Sequence, residues 1–220
     1  MKFKSRRDVK AEILLCRSGA ISFVQVSDSL PNSPDFIEHP RFGRLERDGD
    51  RDREFDVPAF DAFHWPTSYP DTAPHFGRYQ FGLVGFEYGD IPTKGGLDLI
   101  ERVLDDPSRF VTLIINSLWD DFNGRGPDSG VWWHNNLSSV AKETVRDISK
   151  LQSPTDLLPW LRLAGVRLRY DCYWPEIKPL IGFAFWAAFE EEHGVEILSD
   201  GDKVVGHGFA IDVIPFDLIK

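Results

Sequence analysis

The residues best suited to chemistry lie near the C-terminus, in the run EEEHG at positions 190–194, with His207 a short distance further on. Imidazole and carboxylate groups are the ligands of catalytic divalent metals, and such a site needs at least three of them. Alternate residues of a strand share a face, so Glu191 and His193 could converge while His207 arrives from the other arm of a hairpin. One hypothesis is therefore a metal-dependent hydrolase with Glu191, His193 and His207 as ligands.

Two other interpretations of the same run remain open. A Glu/His pair is suited to general acid–base catalysis, but the sequence has no GxSxG, HExxH or GxGxxG motif to supply a nucleophile or a phosphate site. In a structural or recognition role, His193 would hydrogen-bond the turn backbone and Gly194 would supply unusual dihedral angles. The sequence favours a structural role first, partner recognition second and catalysis or metal binding last, so it predicts no catalytic residue and no cofactor.

The charge balance indicates what kind of partner the chain would bind. The formal net charge is −10, which disfavours nucleic acids because a binder must neutralise phosphates with Lys and Arg. An acidic surface suits a basic protein, since it speeds association with such a target. We therefore expect a protein partner, with Trp132, Trp133, Glu191 and His193 as the candidate contact residues.

Cysteine usage and hydropathy bear on location. Cys16 and Cys172 are the only cysteines and show no CxxC or Cys/His spacing, which indicates reduced thiols rather than a zinc site or a disulfide. The N-terminus has a basic start but no signal-peptide cleavage pattern. No apolar stretch approaches the roughly 20 residues needed to span a bilayer. The sequence predicts a cytoplasmic protein without membrane association.

The N-terminal third of the chain combines strands with a long polar stretch. Residues 11–16 and 20–26 are rich in apolar and β-branched residues and predict two strands. Residues 28–74 are dense in proline, glycine and charge, which predicts an irregular excursion. Its aromatic cluster is expected to fold back onto the body, because so many large rings are rarely left in water: Phe60, Phe63, His64, Trp65 and Tyr69.

The middle of the chain is predicted to be mainly helical. A strand over 78–88 is followed by an apolar helical stripe over 97–104. The second helix is predicted at 107–122, between the cap and proline at Asp106-Pro107 and the stop at Asn123-Gly124. A third helix is expected over 138–150, and a short one begins at Ser153 and ends by Gly165.

The C-terminal third is predicted to form a sheet. Apolar and charged residues alternate over 166–172, residues 180–189 are apolar on both faces, and Asp200-Gly201 is a strong hairpin signal. The last strand is expected to continue to Val213. The whole chain, 1–220, is predicted to be a single α+β domain with antiparallel sheets at its N- and C-terminal ends and a helical middle.

The second half resembles an uncharacterised bacterial family of α+β domains. The similarity covers about residues 95–213 and consists of DDFNG at 120–124 before Trp132, SPTDLL at 153–158, and FEEEHGV at 189–195, which is similar to W-x-x-E-H-G-x-x-(I/V). Members of that family resemble immunity and accessory proteins of bacterial toxin systems. The resemblance implies a non-enzymatic binding protein that occludes a basic partner such as a toxin domain, and it supplies no active site.

Overall fold

The structure is a computed structural model that describes residues 36–46, 52–65, 77–83, 92–126, 151–169, 179–210 and 213–218, without the side chains of residues 191, 192 and 218. All of these residues belong to one compact unit, Pro34–Lys220. In the described part of the chain no helix is long and apolar enough to cross a membrane.

Within the described ranges, the β-structure consists of a two-stranded hairpin and a six-stranded sheet. The strands of the large sheet follow one another in space in the order of the sequence, and all neighbours are antiparallel except β4 and β5, which are parallel. The α+β prediction is thus confirmed, with one mixed sheet where antiparallel sheets were expected. The strands are β1 (Phe36–His39), β2 (Gly43–Glu46), β3 (Asp52–Asp56), β4 (Arg78–Gly82), β5 (Leu161–Arg169), β6 (Leu180–Ala187), β7 (Glu190–Ser199) and β8 (Val204–Phe209).

Among the residues described between β4 and β5 there are two consecutive α-helices, α1 (Lys94–Asp105) and α2 (Pro107–Phe122). The Thr93 side chain caps α1 by accepting from the Gly96 amide. Asp106 caps α2 by accepting from the Arg109 amide at 3.3 Å, and Pro107 fills the first helical position, where no amide donor is needed. The predicted boundaries of α2 are confirmed.

The core lies between the helices and one face of the sheet. Strand β6 is its centre, because Phe183 and Phe185 are buried against rings from distant parts of the chain. Phe183 contacts Phe60 and Phe110, and Phe185 contacts Phe63 at a ring distance of 4.8 Å. The prediction of a buried central strand is confirmed.

The prediction of an irregular excursion over 28–74 is wrong for its described part. This part contains β1, β2, β3 and a short 3-10 helix, Pro58–Ala62. The strands are short and their exposed positions are mostly charged, so their apolar alternation is faint. The aromatic cluster does fold back: Phe60 and Phe63 are fully buried and Trp65 nearly so, whereas His64 is exposed and Tyr69 lies outside the described residues.

The segment before β5 also differs from the prediction. A 3-10 helix, Pro154–Trp160, begins as expected, with the Asp156 carboxylate accepting from the Ser153 amide at 2.9 Å. Strand β5 then starts at Leu161, so Gly165 lies inside the strand, next to a register shift. The predicted strands at 11–26 and helix at 138–150 lie outside the described residues, as do both cysteines.

Candidate functional site

The EEEHG run forms a bulge inside the sheet rather than the exit from a strand. The β6–β7 turn comes earlier, at Ala188 and Phe189, and the run belongs to β7. Ala187 pairs with Glu190 and Phe185 pairs with Val195, so residues 191–194 all lie opposite the single residue Trp186. We call residues 190–194 the β7 bulge. Bulges of this kind redirect side chains away from the regular alternation of a strand.

A buried carboxylate fixes the β7 bulge from within. The Glu190 side chain is 3% exposed and its Oε1 accepts from the His193 amide at 3.2 Å and contacts His193 Nδ1 at 3.1 Å. The His193 side chain is 39% exposed, and its ring lies 5.4 Å from that of Phe209. The predicted hydrogen bond from the His193 ring to the turn backbone is wrong, because the ring contacts the Glu190 carboxylate, a partner that the sequence did not indicate.

Gly194 closes the bulge with a backbone conformation that other residues rarely adopt. Its φ is 67°, and a Cβ at this position would lie 2.8 Å from the carbonyl oxygen of Phe185. Both the dihedral angle and the close approach of β6 therefore require glycine. The special dihedral angle predicted for Gly194 is confirmed.

The Glu190–His193 pair has the geometry of an oriented imidazole. A hydrogen bond from Nδ1 to a buried carboxylate assigns the proton to Nδ1 and leaves Nε2 as the nitrogen available to a ligand or a proton. Such pairs orient general bases and metal ligands alike. In the described part of the chain, however, no group of three or more His, Cys, Asp or Glu side chains is placed to hold a metal ion.

His207 does not share its surroundings with His193. It pairs with Ile197 in the sheet, and its Nδ1 lies 3.9 Å from Asp121 Oδ2 of α2, while its ring meets Phe216 edge-on at 4.7 Å. Its side chain is 3% exposed, and Nδ1 has no hydrogen-bond partner among the described residues. Burial lowers the pKa of His207, and the nearby Asp121 carboxylate opposes that shift in part.

The remaining predicted site residues lie outside what the structure describes. This applies to Trp132 and Trp133 and to the side chain of Glu191. The partner-binding and metal hypotheses for them stay predictions.

The face of the sheet that points away from Phe183 and Phe185 carries an ionic cluster that the sequence analysis did not identify. It consists of Arg167, Arg169 and Glu196 and is called here the Arg–Glu–Arg triad. Glu196 is fully buried on β7. Arg167 on β5 donates to it twice, from Nε to Oε1 at 2.8 Å and from Nη2 to Oε2 at 2.7 Å, and Arg169 Nη1 donates to Oε2 at 2.7 Å. These charge-assisted bonds raise the pKa of Arg167 further above its usual range.

Glycine in β6 makes room for the triad. Gly182 pairs with Arg167 on one side and Leu198 on the other, and a Cβ on Gly182 would lie 2.1 Å from Glu196 Oε1. The arginines therefore reach across β6 to Glu196 without an intervening side chain. Two signals in the sequence indicate this arrangement: two arginines two residues apart on one strand face, and a single glutamate within the apolar run VEIL.

No family model, curated protein or solved structure matches this chain.

Proposed function

We propose that the chain is a non-enzymatic binding protein of the immunity type, which uses the β7 bulge to occlude a basic protein partner such as a toxin domain. The observation that carries the proposal is the fixed conformation of the bulge. Glu190 holds both the backbone and the ring of His193, and Gly194 sets the chain direction. A segment already held in one conformation loses little entropy on binding.

The distribution of charge supports the bulge as the contact point. Several exposed acids elsewhere in the described part are already paired with a cation of the same chain, so their charge is largely compensated. In the bulge, Glu190 is buried against His193, and the sequence places two more acids, Glu191 and Glu192, directly between them. The compensated pairs include Glu54 and Asp56 with Arg78, Asp98 with Lys94, Asp105 with Arg41, and Asp202 with Arg102 and Arg109.

Both the sequence resemblance and the overall charge are consistent with this proposal. A net charge of −10 attracts a basic partner from a distance, and the attraction weakens as salt rises. A cytoplasmic location belongs to the same proposal, since a protein that neutralises a toxin must meet it in the compartment where the toxin acts.

The test is binding of the purified chain to a basic protein encoded beside its gene, measured by titration calorimetry and by association kinetics at low and high salt. Charge reversal within the bulge, Glu191→Lys with Glu192→Lys, should weaken binding at least tenfold, mainly through slower association. Asp98→Lys with Asp105→Lys is the matched control, because it reverses the same number of charges at exposed acids on α1. Equal losses in both variants, or no binding by the wild-type chain, would contradict the proposal.

The orientation of His193 by Glu190 favours one alternative, a metal-dependent hydrolase that uses a Glu/His cluster. Metal analysis of protein purified without chelator, followed by zinc and manganese titration, tests it. The hydrolase requires a bound metal that is lost in His193→Ala, together with hydrolysis of a simple ester or phosphoester. Titration without heat or hydrolysis in the wild-type chain excludes this alternative and leaves the binding proposal standing.

A further inference from the structure

The Arg–Glu–Arg triad combines two partly exposed arginines with one buried glutamate. The Glu196 side chain is 0% exposed, whereas those of Arg167 and Arg169 are 28% and 17% exposed. The carboxylate has therefore lost its contact with water, while both arginine side chains keep part of theirs. Two cations share one anion, so the triad itself has a net charge of +1.

Toward the described part of the chain, Arg169 uses only a small part of its hydrogen-bonding capacity. A guanidinium group offers five N–H donors in a rigid plane, and within the described residues Arg169 makes one hydrogen bond, from Nη1 to Glu196. That bond and the partial burial of the Arg169 side chain restrict the position of its guanidinium group. The remaining donors are thus held in place for an acceptor that comes from solvent.

A role in stability alone does not readily explain the triad. Burying a carboxylate costs several kcal/mol, and replacing a buried ion pair with apolar residues is often neutral or stabilising. The sheet also keeps a glycine at position 182 so that the carboxylate fits. A guanidinium group held in one place is a usual means by which proteins bind carboxylate and phosphate groups.

We infer that the Arg–Glu–Arg triad is the base of an anion-binding site for a carboxylate or phosphate group on this face of the sheet. Arg169 supplies the main donors, and Glu196 orients it. Asp52 limits the position of the anion, because its carboxylate and the Cβ of Arg167 both lie against Gly82, at the β4 side of the triad. The anion therefore binds at the Arg169 end, away from Asp52. The site is separate from the β7 bulge and does not depend on the function proposed for it.

The test uses the full chain with inorganic phosphate and with acetate, each titrated at constant ionic strength against chloride. Chemical shifts of the arginine Nε–H groups in the wild-type protein report which guanidinium groups respond. We expect saturable binding with a dissociation constant of about 1–10 mM for a single small anion, since so few atoms contribute contacts. The Arg169 resonance should show the largest shift.

Two variants separate a site from a general charge effect. Arg169→Gln removes the cation and should weaken binding at least tenfold, whereas Arg78→Gln, at an exposed arginine on β4, should leave it within twofold. A stronger response to phosphate than to acetate, or the reverse, identifies the class of ligand. Equal, unsaturable shifts at Arg78 and Arg169 in the wild-type protein would overturn the inference, and this measurement does not require any variant to fold.

Discussion

Gly182 leaves room for the side chain of Glu196, because a methyl group on Gly182 would lie 2.1 Å from a carboxylate oxygen of Glu196. Glu196 is fully buried and both of its oxygens are bonded to arginines. It therefore cannot move aside without breaking those bonds. The size of one residue in β6 thus decides whether three charged residues from β5 and β7 can assemble.

Gly182→Ala should lower the free energy of unfolding by about 2–4 kcal/mol, because it adds a steric clash and disturbs a buried ion pair. Urea denaturation measures the change. Gly95→Ala is the control, because Gly95 lies in the first turn of α1 and its added Cβ would approach only Pro179, at 3.7 Å. That substitution should be neutral or stabilise the protein by up to about 1 kcal/mol. Equal destabilisation by both would contradict the steric explanation.

Loss of the triad's negative charge should be more harmful than loss of the whole triad. Glu196→Gln removes the buried negative charge that both arginines bond and should lower the free energy of unfolding by about 3 kcal/mol. The combined variant Arg167→Met, Arg169→Met and Glu196→Met should unfold within about 1 kcal/mol of wild type while losing the anion response. If the combined variant is the less stable of the two in thermal or urea unfolding, the triad serves stability rather than binding.

The cost of substituting Gly194 should have two separable parts. Gly43 and Gly194 both have positive φ, at 71° and 67°, but an added Cβ meets nothing within 4 Å at Gly43 and the Phe185 carbonyl oxygen at 2.8 Å at Gly194. Gly43→Ala should cost about 1–2 kcal/mol for the dihedral angle alone. Gly194→Ala should cost about 1–3 kcal/mol more for the contact. Chemical denaturation of both variants gives the difference, and similar values would show that the bulge relaxes.

Stability should fall in mild acid because of His207. Burial lowers the pKa of His207 in the folded state below its ordinary value of 6.5, with partial opposition from Asp121. The unfolded chain therefore takes up a proton first as pH falls below about 6.5. The stability contributed by neutral His207 is complete above that pH. It is lost progressively as pH falls, until His207 is protonated in the folded protein as well. The free energy of unfolding decreases by no more than about 1.4 kcal/mol per pH unit over this range.

Denaturant titrations between pH 8 and pH 5 measure this loss. His207→Gln should flatten the dependence in that window, while His64→Gln, at an exposed histidine, should retain the wild-type curve. Among the described residues, the charged group that faces the His207 imidazole is Asp121. An unchanged curve in His207→Gln would assign the acid sensitivity to other groups.

The predictions succeeded where local signals agreed. Helix α2 could be bounded because Asp106-Pro107 starts it, Asn123-Gly124 ends it, and its apolar residues recur at helical spacing between them. Strand β6 was identifiable because it is apolar on both faces. Strands β1 to β3 were missed because each is only 4 or 5 residues long and its pairing partner, rather than its own composition, makes it a strand.

The site was only partly predictable because its key contacts join residues on different strands or across a bulge. His193 and Gly194 were recognised from their types, but the pairing of Glu190 with His193 depends on a bulge that no alternation pattern reveals. The contacts of Glu196 with Arg167 and Arg169 span 29 and 27 residues of sequence. They become visible only when β5, β6 and β7 are set in register.

The parallel pairing of β4 with β5 has a consequence for how the chain folds during its synthesis. Strands β5 to β8 are joined by local antiparallel pairings, whereas β4 pairs early with β3 but must wait for its second partner, about eighty residues later, at Phe81↔Val166. Contacts so distant in sequence form slowly because a long loop must first be closed. Until β5 leaves the ribosome, Tyr79 and Phe81 can pair only with the short strand β3. The N-terminal strands can therefore complete their sheet only after the C-terminal strands have been synthesised. A chain truncated before Leu161 would expose the apolar surface of Tyr79 and Phe81.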